Sequence, residues 1–418
     1  MKRIKEIISE NKSLHGQCNT LKVKVTNLQR RSARETDNAG TEVEDFLLER
    51  YDFRFNQLTE EVEVRPKVES DGVYKRMNER LMNSLYLVVR RKKPECCDKD
   101  VHRFVHSDEI PAYHPFRAYL DALPKWDGTD RVNGLSARIA DTVYCRRHFS
   151  RWLLAMTAQW LDMDSRHANS VAPILISEAQ GRHKSTFCRM LMPDSLQGYY
   201  TDSFSLCAQA QPERKLPFFG LINMDEFDKE SAARMPVLKN LMQMTRASLL
   251  KAYKKNYSCL PRIASFIGTS NRKDLLTDPT GSRRFLCLDV TKKIDVSAVC
   301  HKQLFAQLKE ELQAGKRYWF TGEDEAEIME HNRAFYRRPM EEEVFLNYYG
   351  IPTEGGQSTL LQASEMFRRL KVRNPSAMRG VTPTGFGRTL ISLGVERKHT
   401  ETGNFYVVAE KPFSLKGA

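Results

Sequence analysis

The chain has 418 residues, of which 41% are hydrophobic, and its formal net charge is +13 at pH 7. Its length predicts roughly two or three domains with a packed core, and its basic excess favours a polyanionic partner, most commonly nucleic acid. It has no apolar run of the ~18 residues that cross a membrane and no apolar signal segment, and its nine cysteines are irregularly spaced, so we expect a cytoplasmic protein with reduced thiols and no membrane partner.

Residues 1–40 predict a basic helix, or one strand of a short coiled coil, followed by a linker. Apolar residues recur at intervals of three and four between positions 4 and 28, a spacing that is typical of an amphipathic helix. Whether the apolar face meets a second helix, DNA or the body of the protein stays open. The segment at 30–40, RRSARETDNAG, has the polar composition of a linker.

Residues 41–110 predict a small α+β module. The expected order is an acidic helix at 42–51, a hairpin at 53–64 and helices near 74–89 and 99–105. A zinc site is the alternative raised by Cys96, Cys97, His102 and His106. Adjacent cysteines rarely chelate one ion well and a second cysteine pair is missing, so the histidines are better interpreted as two polar positions one helical turn apart.

Helical regions are predicted on both sides of residues 166–292. The first, 111–165, places Trp152 and Trp160 on an apolar stripe, a position from which tryptophans pack in a core more often than they stack on bases. The second, 293–340, is rich in charged residues and predicts a helical extension that packs beside the intervening core.

Residues 166–292 begin with the pattern of a nucleotide phosphate-binding loop. An apolar run leads into a polar loop with Gly181, and Lys184, Ser185 and Thr186 open a predicted helix. Backbone amides of such a loop can bind phosphates, the lysine can meet the outer phosphates of ATP, and a hydroxyl can hold Mg²⁺.

This loop fits the motif G-x-x-x-x-G-K-[ST] imperfectly. Glu178 and His183 occupy the two glycine positions, and Gly181 lies three residues before Lys184. A Cβ at position 183 would crowd a loop whose amides should point inward. The alternative is a buried strand followed by a helix that carries a surface lysine.

A second apolar run, residues 218–224, ends in two adjacent carboxylates, Asp225 and Glu226. A buried strand that ends in an acid pair is the Walker B pattern. The first acid can hold the metal and the second can orient or deprotonate the attacking water. An acidic surface turn after a strand is the simpler alternative.

A third apolar run, residues 262–269, is followed by Asn271 and then by Arg283 and Arg284. An amide after a central strand can contact the γ-phosphate and the attacking water, and two guanidiniums can reach the γ-phosphate of a neighbouring subunit. Ordinary turns are the alternatives for each. Together, the loop, acid pair, amide and arginines, each after an apolar run, predict an NTPase.

Between the acid pair and Asn271, the segment 236–257 predicts a methionine-rich helix followed by a basic and aromatic stretch. That stretch contains Lys251, Tyr253, Lys254 and Lys255. Basic side chains follow phosphates and rings stack on bases, so the combination suits single-stranded DNA. A solvated basic turn is the alternative.

Residues 341–418 predict two helices, a third helix at 384–393 and a terminal β-hairpin. Helices followed by such a hairpin form a winged helix, for which Arg388 and Lys398 are candidate DNA-binding residues. A winged helix can equally bind a protein.

Three blocks resemble the virulence-associated E (VapE-like) group of AAA+-type ATPases from phages, plasmids and integrated elements, which is related to superfamily 3 primase-helicases. The blocks are HPFRAYLDALPKWDGTDRV at 114–132, QGRHKSTF at 180–187 and FIGTSNRKDLLTDPTGSRRF at 266–285. The resemblance implies an α/β fold: an AAA+-type P-loop NTPase core with a helical N-terminal module and a C-terminal winged-helix-like domain.

The resemblance also implies a role for each matching position. Lys184 and Ser185 would bind phosphate and Mg²⁺, with Thr186 as a neighbouring hydroxyl. Asp225 would be the metal acid and Glu226 the catalytic acid. Asn271 would be sensor 1, and Arg283 or Arg284 would be the arginine finger.

Two functions follow from this sequence. The first is a DNA-dependent ATPase or helicase-like replication protein of a mobile element, which hydrolyses ATP in a homo-oligomeric, hexameric ring. The second is an adaptor that binds nucleotide with little turnover and recruits another replication or interference factor. No carboxylate cluster suited to nucleotidyl transfer precedes residue 114, so we expect no primase activity, although a separately encoded primase is a conceivable partner.

Overall fold

A computed structural model describes residues 38–68, 72–94, 96–164, 166–250, 257–276, 282–336, 339–352, 357–400 and 403–411. These residues form two compact units that divide between Ala122 and Leu123. Most of the predicted N-terminal helix and linker, residues 1–37, and the basic stretch at 251–256 lie outside the described residues. Within the described ranges, no helix is both long and apolar enough to cross a membrane.

The first unit packs helices on a four-stranded sheet. Its helices are α1 (Asn38–Arg50), α2 (Glu79–Lys92), α3 (Asp98–Val105) and α4 (Pro115–Asp121), and its strands are β1 (Tyr51–Asn56), β2 (Glu61–Pro66), β3 (Lys75–Arg76) and β4 (Ala112–Tyr113). The sheet order is β3-β2-β1-β4. Helix α2 begins later than predicted because the Asn78 side chain accepts a hydrogen bond from the Leu81 N–H at 2.8 Å and caps the helix there.

The two histidines of the zinc alternative lie on α3 and just after it. The rings of His102 and His106 stack with their centroids 4.2 Å apart, and His106 Nδ1 lies 2.9 Å from the His102 carbonyl oxygen. In the part of the chain that the structure describes, no three His, Cys, Asp or Glu side chains are grouped to hold a metal ion. The interpretation of the two histidines as polar positions one turn apart stays a prediction; His102 lies on α3, and His106 is the residue that follows its last turn.

The second unit is built on a five-stranded parallel sheet of order β11-β5-β10-β7-β6. The strands are β5 (Ala172–Ile176), β6 (Tyr200–Thr201), β7 (Leu221–Met224), β10 (Ser265–Ser270) and β11 (Phe285–Asp289). An antiparallel pair, β8 (Arg246–Leu250) and β9 (Tyr257–Pro261), stands outside this sheet. The flanking helices are α5 (Arg131–Ile139), α6 (Val143–Trp160), α7 (Lys184–Met190), α8 (Met235–Gln243), α9 (His301–Gln313) and α10 (Gly322–Asn332).

The register of the sheet brings three strand ends to one edge. Gly268 of β10 pairs with Met224 of β7, and Ser270 of β10 pairs with Ile176 of β5. Because parallel strands end at a common edge, the residues that follow β5, β7 and β10 emerge together there. All residues of these three strands are buried, as expected for strands covered on both faces.

The two tryptophans of α6 lie in the core, as predicted. Trp152 and Trp160 have no exposed surface, and Trp160 Nε1 donates a hydrogen bond of 3.0 Å to the Gly220 carbonyl just before β7. Helix α6 is therefore packed against the sheet by its apolar face and by one buried polar contact.

A turn before α5 joins that helix to α9. Trp126 Nε1 donates to the Thr129 carbonyl at 2.9 Å, and the Arg131 guanidinium donates to both carboxylate oxygens of Asp127 at 2.6 and 2.7 Å. On the α9 side, Gln307 Oε1 accepts from the Arg131 N–H at 2.8 Å. This part of the chain has a structural role: it fixes the start of α5 on α9.

Arg262, between β9 and β10, is fully buried. Its guanidinium donates at 2.5 to 3.3 Å to five backbone carbonyl oxygens, those of Asn169, Leu241, Met242, Met244 and Ala264. Three of these belong to the end of α8, where carbonyls have no partner within the helix. Burial lowers the pKa of the guanidinium. Arg262 therefore attaches the base of the β8–β9 pair to α8 and to the sheet.

The C-terminal part of the second unit contains the three predicted helices and the terminal hairpin, with two further strands that were not predicted between the first and second helices. Its elements are α11 (Met340–Tyr348), β12 (Tyr349–Gly350), β13 (Thr359–Gln362), α12 (Ala363–Arg373), α13 (Pro383–Ser392), β14 (Arg397–Thr400) and β15 (Gly403–Glu410). Strand β15 pairs antiparallel with the other three. Phe386 and Leu390 of α13 are fully buried, so this helix packs by the face that carries these two residues.

Candidate functional site

Lys184, the first residue of α7, contacts the start of the loop that follows β5. Its Nζ donates to the Ser177 carbonyl at 3.1 Å and to Asn271 Oδ1 at 2.8 Å, and the residue is only 8% exposed. Burial lowers the pKa of this ammonium, while the carboxylates of Asp225 and Asp228 act in the opposite direction. A nearly buried cation is therefore held between the ends of β5 and β10, close to two acids.

Asp225 follows β7 directly and contacts α7. The Ser185 hydroxyl donates to Asp225 Oδ1 at 2.8 Å, and the Thr269 hydroxyl donates to the same oxygen. Hydroxyl and carboxylate oxygens are hard ligands of the kind that Mg²⁺ prefers, and Mg²⁺ commonly takes only one or two protein ligands beside phosphates and waters. Ser185 and Asp225 are therefore the two residues of this cluster whose oxygens could hold a magnesium ion.

The acidic turn after β7 also contains Glu226 and Asp228, and each of these carboxylates has its own partner. Glu226 has a left-handed backbone (φ 53°), and its carboxylate forms an ion pair of 2.6 Å with Lys229. Asp228 Oδ1 accepts a hydrogen bond of 3.3 Å from the Asn271 N–H. The two acids of the pair therefore have different partners: Asp225 bonds Ser185, and Glu226 pairs with Lys229. Asp228 bonds the backbone just after β10, the strand that lies between β5 and β7.

Sequence reasoning missed Thr269 and Asp228. Each bonds a predicted site residue: the Thr269 hydroxyl bonds Asp225, and the Asp228 carboxylate bonds the Asn271 backbone. The only signal in the sequence was their position: Thr269 ends the third apolar run, and Asp228 lies three residues after Asp225. Neither position indicates contact until the strand register is known.

Arg283 and Arg284 do not join this cluster. They lie in a 3₁₀ turn, Ser282–Arg284, directly before β11. The first residue of β11 pairs with the first residue of β5, and the last residue of β11 pairs with the last residue of β5. At ~3.3 Å per residue the strand separates the two edges by about 13 Å. The arginines therefore lie at the opposite edge of the sheet from Lys184.

The remaining loop residues are mostly accessible. Gly181 and Thr186 are exposed, and Gly181 has a left-handed backbone with φ 72°. His183 also has a left-handed backbone, with φ 63°. The Arg182 carbonyl accepts a hydrogen bond of 3.1 Å from the Ile294 N–H, which attaches the loop to the segment after β11. At position 183, therefore, a histidine occupies a left-handed backbone conformation that favours glycine.

Replacing His183 with glycine should give a more stable protein than replacing it with alanine, by about 1 kcal/mol. The reason is that alanine keeps the Cβ that a left-handed backbone disfavours, whereas glycine removes it. At most helical positions the order is reversed. Denaturant unfolding of the two variants checks this expectation. An alanine variant as stable as the glycine variant would contradict the assigned backbone.

The predicted DNA-binding residues are only partly described. In sequence, Lys251, Tyr253, Lys254 and Lys255 fall between β8 and β9 and outside the described residues. The strands on either side pair antiparallel from Arg246–Pro261 to Leu250–Tyr257. Arg388 on α13 and Lys398 on β14 are exposed, as a role in binding a polyanion requires.

Two domain families match the chain. The virulence-associated protein E-like domain matches residues 120–337, just over half of the chain. A domain of unknown function from B. theta matches residues 338–408. No curated protein matches this chain.

Among solved structures, three apo forms of the NrS-1 C-terminal region match. An A form has 11% sequence identity and a TM-score of 0.40, covering 88% of this chain and 98% of that chain. The 305–718 fragment has 10% sequence identity and a TM-score of 0.41, and the match covers 90% of this chain and 100% of that chain. An A form of that fragment has 12% sequence identity and a TM-score of 0.44, and the match covers 88% of this chain and 98% of that chain.

Proposed function

The chain belongs to the virulence-associated protein E-like family, and we propose that it is a DNA-dependent ATPase that serves the replication of a mobile genetic element. The proposed core is an AAA+-type P-loop fold over residues 166–292. One observation carries the proposal: Lys184 contacts Asn271 and Ser185 contacts Asp225 at the carboxyl edge of a parallel sheet. Ligands of α/β sheets bind at that edge.

Each of these side chains has a role in phosphoryl transfer. Lys184 would bind the outer phosphates, because among the described residues its ammonium donates to two oxygen acceptors, which leaves one of its three N–H donors for phosphate. Asn271 would orient the γ-phosphate and the attacking water. Mg²⁺, held by Ser185 and Asp225, would neutralise phosphate charge. Glu226 is the proposed catalytic carboxylate, which would accept the proton of the attacking water in place of its present ion pair with Lys229.

The position of the arginines supports an oligomer. Arg283 and Arg284 lie at the edge of the sheet opposite Lys184, and this separation from their own chain's Lys184 supports a role at the site of a neighbouring copy. An arginine that stabilises transition-state charge in trans is a recurring device in NTPases. We propose a homo-oligomeric ring, with six copies as the family resemblance implies.

DNA contact is proposed at two places. The first is the segment around β8 and β9, whose connecting residues are basic and aromatic and therefore suit a single strand. The second is the C-terminal part, which we interpret as a winged-helix-like domain with Arg388 and Lys398 facing duplex DNA. The net charge of +13 supports a polyanionic partner.

ATP hydrolysis with and without single-stranded DNA tests this proposal. We expect DNA-stimulated turnover in the unmodified protein and a loss on the order of 10²-fold in Glu226→Gln, because the variant cannot accept the proton of the attacking water. Glu230→Gln is the matched control, since Glu230 lies in the same turn and pairs with Arg234 instead.

The same experiment separates the ATPase from the adaptor. The Glu226–Lys229 ion pair and the left-handed His183 favour a site with restrained turnover. An adaptor predicts negligible hydrolysis that neither DNA nor Glu226→Gln changes. That result would replace the proposed ATPase by the adaptor. Primase activity is not part of either proposal, and nucleotide incorporation by the isolated chain would contradict the expectation that this chain has none.

A further inference from the structure

The last residue of α10, Asn332, is buried and holds the turn that carries the two arginines. It is 2% exposed, and its Nδ2 donates to the Ser282 carbonyl at 2.9 Å and to the Phe285 carbonyl at 2.7 Å. These two carbonyls stand immediately before and after Arg283 and Arg284. Ser282 begins the 3₁₀ turn and Phe285 begins β11, and one side-chain amide binds the carbonyls of both residues.

Helix α10 contacts the turn a second time. Glu325 Oε2 accepts a hydrogen bond of 3.2 Å from the Arg283 guanidinium. Glu325 and Asn332 are seven residues apart, which places them on one face of the helix. The carboxylate restrains the first guanidinium, and the amide restrains the backbone on both sides of the pair.

We propose that Asn332 is a positioning residue for the arginine finger. It fixes the Ser282–Arg284 turn so that a guanidinium reaches the γ-phosphate of a nucleotide bound by a neighbouring copy. The inference rests on the proposed function. Among the described residues no protein donor reaches Asn332 Oδ1, so the amide is placed for what its nitrogen binds.

A role in holding α10 itself is the structural alternative. Other contacts already attach this part of the chain, since Ile328 is fully buried one turn earlier and the Phe335 carbonyl accepts a hydrogen bond of 3.1 Å from the Leu276 N–H. Removing the side-chain bonds of Asn332 should therefore free the arginine turn while α10 stays packed.

Mixing two inactive variants separates the two roles. Lys184→Ala has no working site but supplies arginines, and the double variant Arg283→Ala, Arg284→Ala has a working site but supplies none. We expect ATP turnover to reappear when the two are mixed. Adding Asn332→Leu to the arginine-supplying copy should then lower the turnover of the mixture at least tenfold. Adding it to the arginine-free copy should change turnover less than twofold.

The other outcomes separate a failure of the role proposed for Asn332 from a failure of the proposed ATPase function. Equal losses on both copies would show that Asn332 only supports folding, and no loss on either copy would show that it positions nothing; both results overturn this proposal alone. If neither the unmodified protein nor the mixture hydrolyses ATP, the proposed function fails first and this proposal fails with it. Asn332→Ser, which is smaller and still polar, repeats both arms if Asn332→Leu does not fold.

Discussion

Replacing Lys184 with alanine is expected to lower DNA-stimulated ATP turnover by on the order of 10²-fold or more, because one prepositioned donor to developing phosphate charge is removed. The ammonium is already fixed by the Ser177 carbonyl and by Asn271 Oδ1, so little reorganisation is needed when phosphate binds. Steady-state hydrolysis at saturating single-stranded DNA measures the effect. Nucleotide affinity should fall as well, since the same cation binds the ground state.

Lys302→Ala is the matched control for this variant. Lys302 is exposed on α9, so its removal subtracts one positive charge from the chain without touching the cluster around Lys184. Surface substitutions of this kind usually change stability by less than about 0.5 kcal/mol. Equal activity of Lys184→Ala and Lys302→Ala would show that the buried lysine has no role in turnover.

Replacing Arg262 with methionine is expected to lower the free energy of unfolding of the second unit by about 3–5 kcal/mol. Methionine keeps much of the buried volume but leaves five backbone carbonyl oxygens without the donor that now binds them. Unsatisfied buried acceptors and broken buried charge contacts have effects of this size. Urea unfolding followed by circular dichroism measures the change.

Arg246→Met provides the comparison. Arg246 starts β8, its side chain is 46% exposed, and its ion pair with Asp162 is long at 3.9 Å. An exposed pair of this kind contributes roughly 0–1 kcal/mol, so the variant should unfold almost as the unmodified protein does. If the two variants lost equal stability, the attachment of α8 to the hairpin base would not depend on Arg262.

The strands that carry the candidate site could be predicted because each is a short apolar run that ends at polar residues. The runs that precede the phosphate loop, Asp225 and Asn271 are strands β5, β7 and β10. Burial of both faces removes the alternation of polar and apolar residues that marks an exposed strand, so length and flanking residues were the usable signals. The C-terminal helices and hairpin were predictable because their turns contain glycine and their apolar residues are regularly spaced.

Features that depend on register and backbone conformation could not be predicted. The sequence gives no indication that Glu226 has a left-handed backbone and pairs with Lys229. It also could not place Arg283 and Arg284 at the far edge, because that position follows only from the pairing of β11 with β5. The predicted helix beginning at 236 ends at Gln243, its terminal carbonyls bind Arg262, and the chain continues as strand β8.

The proposed ATPase requires a magnesium-bound triphosphate between Lys184 and Asp225. Calorimetric titration of a slowly hydrolysed ATP analogue tests this most directly. The protein is predicted to bind the analogue in Mg²⁺, to bind it much more weakly in EDTA, and to lose at least tenfold in affinity in Lys184→Ala, since one fixed ionic contact to phosphate disappears. Binding that neither EDTA nor Lys184→Ala weakens, or no binding at all, would refute the proposed nucleotide site.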